Sequence, residues 1–139
     1  MTPTASSKIG QIHELLAARR YSVAEDGEGV LRITEVDSGL TLQAVLQGDI
    51  LFLSLPCATV AKSAITPAIM QKMLAADNGI ATSFFQLYDT GSGQYTVTLN
   101  NFCKLQDMND DDRDDILSCV GFLMADVLRA RDLIGQDIQ

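Results

Sequence analysis

The sequence has little of what most reaction chemistry needs. A single histidine, His13, stands among 139 residues, so any Cys-His or Ser-His-Asp arrangement would have to use it. It falls near the polar edge of an amphipathic segment, which makes it a surface or half-buried structural residue, and Glu14 does not share its face on a helix. The three cysteines, Cys57, Cys103 and Cys119, are widely separated and lack CxxC spacing, so zinc finds no paired ligands. They read as reduced thiols filling small, semi-apolar spaces. Positive charge is scarce too, with 10 basic residues against 18 acidic ones, a net charge of -8, and no basic run longer than Arg19-Arg20. Without interleaved aromatics such scattered cations do not hold a phosphate backbone, and nucleic acid is not an expected partner. No run approaches the roughly eighteen apolar residues of a membrane span, and the first ten residues lack a signal-peptide core. The expectation is a cytoplasmic protein with no membrane partner.

What is present is enough for a core. With 47% apolar and 20% charged residues and no repeat, the chain lies outside disordered compositions. At this length roughly two thirds of the unfolded surface is buried on folding. The reading is a single domain over residues 1–139, with residues 1–7 as a flexible tail.

Taken in order, Ile9, Ile12, Leu15 and Leu16 share one face of a first helix over Lys8–Arg20, with the Arg19-Arg20 pair where the helix dipole favours cations. Glycine-rich borders around Val30–Val36 predict a strand. Two more strands, Leu40–Leu46 and Ile50–Pro56, join through the tight Gln47–Asp49 turn, and Pro56 is expected to end the third. Thr66 then caps a short helix that Pro67 opens and that closes before Gly79. A hairpin follows, Ile80–Tyr88 and Gln94–Leu99 around Thr90–Gly93. A long helix completes the chain, with Ile116, Leu117, Val120, Leu123, Met124, Val127, Leu128 and Ile134 at helical spacing. The fold class is α+β: a five-stranded antiparallel sheet with helices mainly on one face, in the order α-β-β-β-α-β-β-α.

Alternation assigns the faces. Leu51, Leu53 and Leu55 point to one side of the third strand, and Phe85, Leu87, Tyr95, Val97 and Leu99 to the inner side of the hairpin. The opposite face then presents Val45, Ile50, Phe52, Phe84 and Tyr88 among threonines and glutamines. That is too apolar for a wholly wet surface and has the character of a protein interface.

The acidic run Asp107–Asp115 invites a calcium-loop reading. Asp107, Asn109 and Asp111 fit loop positions one, three and five, but Asp112 stands where glycine is needed and Ser118 where a bidentate glutamate belongs. The run reads instead as a helix start, where Asp or Asn caps free N–H groups. Gly91 and Gly93 join two strands and so make no dinucleotide fingerprint. No acidic residue sits inside an apolar strand, where burial would raise its pKa. The sequence assigns no catalytic, cofactor-binding or metal-binding residue and does not read as an enzyme.

The segment Met70–Ile80, leading through Phe84–Tyr88 and Gln94–Asn100 to Asp110–Leu117, resembles the pattern of Tir-chaperone-like and YbjN-like proteins: a helix ending in Asn or Gly, a hairpin, a polar loop and an acid-capped helix. With the element order, it makes nearly the whole chain similar to the type III secretion chaperone fold. The resemblance implies a small, acidic, cytoplasmic protein, commonly homodimeric, that binds an extended segment of a partner protein, does no covalent chemistry and needs no cofactor. The open sheet face (Ile50, Phe52, Phe84, Tyr88) and the Met-bearing second helix (Met70, Met73) are the expected surfaces for dimerisation or for a client. The alternative is a small-molecule sensor or minor enzyme with a pocket between the sheet and the C-terminal helix.

Overall fold

The computed structural model describes residues 7–27, 29–80 and 82–135. Its elements are α1 (Lys8–Ala17), β1 (Tyr21–Gly27), β2 (Val30–Glu35), β3 (Thr41–Gln47), β4 (Ile50–Ala61), α2 (Pro67–Leu74), β5 (Phe84–Asp89), β6 (Gln94–Lys104) and α3 (Asp110–Gly135), with a 3-10 turn at Lys62–Ala64. The architecture is α+β, with an antiparallel sheet and three helices. The sheet has six strands and not five, in the order β1-β2-β3-β4-β6-β5.

The added strand, β1, pairs antiparallel with β2 from Tyr21 opposite Glu35 to Gly27 opposite Val30, with a bulge between Glu25 and Gly27. Glu25, Asp26 and Gly27 look like turn residues and give no apolar alternation, because β1 is an edge strand that buries little. Nor does Pro56 end β4, which runs on to Ala61. Its ladder with β3 stops at Ser54 opposite Gln43, so the missing N–H of Pro56 breaks no bond on that side, and its fixed φ suits an extended chain. The Gln47–Asp49 turn is as expected, with Gly48 at φ 61. β5 begins at Phe84 and not Ile80. The Asn78 side chain instead closes α2, donating to the Met73 carbonyl at 2.7 Å and accepting from the Ile80 N–H at 2.9 Å. α1 stops at Ala17, which leaves the Arg19-Arg20 pair in the following turn, where Arg20 meets Asp37 at 2.7 Å.

Of the expected tail, residues 1–6 lie outside the described residues; Ser7 caps α1 by accepting from the Gly10 N–H. The acidic run is a helix start. Asn109 accepts from the Asp112 N–H at 2.9 Å, while the Asp112 carboxylate reaches back to the N–H groups of Met108 (2.9 Å) and Gln106 (2.7 Å).

The chain divides into two compact units, residues 1–54 with Phe102–Gly121 and residues 55–101 with 122–139. In the first, Ile12, Leu16, Leu31, Ile33, Leu42, Leu51, Leu53, Ile116 and Val120 are buried; in the second, Leu55, Ile69, Val97, Leu99, Leu123, Val127 and Ile134. Each such Leu or Ile contributes on the order of 1.5–3 kcal/mol. Among the described residues no helix is long and apolar enough to cross a membrane.

Candidate functional site

Alternation along β4 buries Leu51, Leu53 and Leu55 and turns Phe52 outward. In the first unit, register then builds an apolar row on the open side of the sheet. Val30 on β2 lies opposite Val45 on β3, and Val45 opposite Phe52 on β4. The Phe52 ring in turn meets Phe102 of β6, with centroids 6.4 Å apart and planes tilted by 39°. Ile50 is half-buried beside it.

In the second unit the same period turns Phe84, Gln86 and Tyr88 of β5 outward, with Asn100, Thr98 and Thr96 of β6 opposite them. This row is polar where it is covered. Asn100 donates to the Thr98 hydroxyl at 2.8 Å and to the Phe84 carbonyl at 3.4 Å, and Thr59 and Thr96 share a hydroxyl hydrogen bond at 3.0 Å. At the hairpin end Lys62 binds Asp89 at 2.6 Å and lies 5.3 Å above the Tyr95 ring; its hydrogen bond holds the Asp89 carboxyl below the usual range. A small apolar cavity of about 110 Å³ is lined by Met70, Met73, Leu74, Phe85, Gln86 and Leu87. It opens between α2 and β5 and is at the small end for a ligand site.

Phe52, Phe84, Tyr88 and Phe102 are 42% to 53% exposed, far more than packed aromatic rings would be. Of the residues singled out from sequence, Ile50 and Phe52 lie in the first unit and Met70, Met73, Phe84 and Tyr88 in the second. Met70 is exposed; Met73 is buried and lines the cavity, so it offers little outer surface. Phe102 escapes the sequence reading because β6 was expected to end at Leu99. The inward alternation of Leu99, Cys103 and Leu105 is the signal that the strand continues. Leu74, 81% exposed at the end of α2, is also missed.

Among the described residues two carboxylates are buried, Asp112 and Asp126, both on the helix α3 and neither on a strand. Asp112 is committed to the N–H groups of the helix start. His13 lies half-buried on α1, 3.9 Å from Glu25.

No protein-family model and no curated protein sequence matches this chain. Solved structures do. YbjN from E. coli, named as a candidate transcription regulator, superposes with a TM-score of 0.62 at 12% identity over 93% of this chain and 90% of its own. A chain of the ExsC-ExsE complex gives a TM-score of 0.62 at 15% identity over 92% and 96%. At such identities the likeness is one of fold. The chain has the YbjN-like, type III secretion chaperone-like fold that its element order resembles.

Proposed function

We propose that a chain of this fold works as a non-enzymatic protein-binding module, chaperone-like or a regulatory adaptor, that holds an extended segment of a partner protein and pairs with a second copy of itself. The observation that carries this reading is the set of aromatic rings left outside the core: Phe52 with Phe102 in one unit, and Phe84 and Tyr88 in the other. Rings of this kind supply most of the contact energy where proteins meet. β5 is a sheet edge, so its outer backbone groups can receive an added strand while Phe84 and Tyr88 supply side-chain contacts. The comparison with ExsC-ExsE supports a protein partner, since that neighbour is itself a two-protein complex. The same reading expects a cytoplasmic protein.

Two polar substitutions test it. Phe52→Asp and Phe84→Asp each place a charge on an exposed position, so both variants are expected to fold with wild-type circular dichroism. In sedimentation, and in affinity capture from the protein's own cells, each should lose the second copy or the co-purifying partner that wild type retains. If both variants unfold, these rings belong to the core; if both keep every contact, the surfaces do something else.

A further inference from the structure

Cys103 on β6 and Cys119 on α3 are far apart in sequence but meet in the first unit, where the two thiols are hydrogen-bonded to each other. The Cys119 sulfur also lies 4.0 Å from the carbonyl of Phe102, the residue before Cys103, which places it independently beside the same stretch of β6. Cys103 is buried, whereas Cys119 is half-buried and reachable from solvent. The pair thus has an accessible sulfur in front and a sheltered one behind it.

We propose that Cys103 and Cys119 form a peroxide-reactive dithiol, with Cys119 the attacking sulfur and Cys103 the resolving one, that closes to an intramolecular disulfide between β6 and α3. The hydrogen bond from Cys103 lowers the Cys119 thiol below its ordinary range although burial and Asp115 oppose this; the same bond, with burial and the charges of Cys119, Asp115 and Asp112, pushes Cys103 up. Of the two sulfurs, Cys119 is thus the one that gives up its proton more readily and the one solvent reaches, which makes it the better nucleophile of the pair. Attack on hydrogen peroxide forms an S–O bond and breaks the O–O bond. The departing hydroxide takes up a proton and leaves as water, and Cys119 becomes a sulfenic acid. Cys103 then attacks the Cys119 sulfur, forming S–S and breaking S–O, and its proton leaves with the displaced hydroxide as a second water. One peroxide is reduced to two waters, and two thiols are oxidised to one disulfide.

Cys57 is the internal control, because its thiol is buried in the other unit and pushed up to about 11 by burial. On treating the reduced protein with hydrogen peroxide near neutral pH, we expect two of the three thiols to disappear. The mass should fall by two hydrogens, a disulfide peptide should join Cys103 to Cys119, and dithiothreitol should restore both thiols. Cys103→Ser should stop at a Cys119 sulfenic acid that dimedone traps, and Cys119→Ser should slow thiol loss by roughly tenfold or more. If Cys103→Ser fails to fold, the wild-type peptide map still decides. A disulfide engaging Cys57, a Cys119 oxidised to sulfinic acid without any disulfide, or three thiols that survive the peroxide would each overturn the assignment.

Discussion

Cys57, Cys103 and Cys119 share one side chain and occupy three environments, and the environment decides what each sulfur does. At Cys57 burial outweighs the pull of the Arg131 guanidinium, whose Nε donates to the Cys57 carbonyl at 3.3 Å, and the thiol rises from an ordinary 9.0 to about 11. This has a pH signature. A folded-state value above the unfolded one means that the native protein holds the proton more tightly, so the associated stability is fully present below pH 9 and is lost as pH climbs from about 9 to about 11. A shift of this size corresponds to roughly 2–3 kcal/mol. Urea unfolding across this range should therefore show wild type losing more stability than Cys57→Ala, whose alkaline limb should be flatter by about that amount. Parallel limbs would mean that Cys57 titrates in the folded protein as it does in the unfolded one.

α3 shows how far the sequence could be read at the level of elements. Its start was legible because Asn109 and Asp112 stand where a capping pair belongs, and its buried stripe because Ile116, Val120, Leu123, Val127 and Ile134 keep helical spacing. The start of α2 was legible for the same reason: the Thr66 hydroxyl accepts from the Ile69 N–H at 3.3 Å, and Pro67 follows. Where pairing and not local preference made the element, sequence failed. β1 carries Ser22, Ala24 and Glu25 and is a strand because β2 pairs with it; β4 passes through Pro56 because the β3 ladder has already ended. The aromatic surface was half legible, since alternation gave Phe52, Phe84 and Tyr88, whereas Phe102 needed the true length of β6. One residue of α3 runs against its element. Gly121 sits in the helix interior, where glycine costs roughly 1 kcal/mol relative to alanine, and a Cβ built on it meets nothing within 4 Å. Gly121→Ala should accordingly raise stability by about 0.5–1 kcal/mol in thermal or urea unfolding. A loss of stability would mean that this position needs the absence of a side chain for a reason other than space.

Over the whole molecule the two compact units are not two segments of chain, because β4, β6 and α3 each pass from one unit into the other. Unfolding one unit alone would require α3 to end near Gly121 and Phe122, in the middle of a 26-residue helix, exposing up to four carbonyls on one side of the break and up to four N–H groups on the other. β4 would have to part between Ser54 and Leu55, inside a strand of 12 residues. Helix continuity is itself cooperative, so such a break is costly. We therefore expect the chain to behave as one domain with a single two-state transition, even though its contacts fall into two sets. Hydrogen exchange followed by mass spectrometry through a urea titration separates the possibilities, because peptides over Leu31–Ile33 report on the first unit and peptides over Val97–Leu99 on the second. One shared midpoint is the expected result. Two midpoints would show that α3 and β4 break at the unit boundary and that the chain folds as two domains that share strands and a helix.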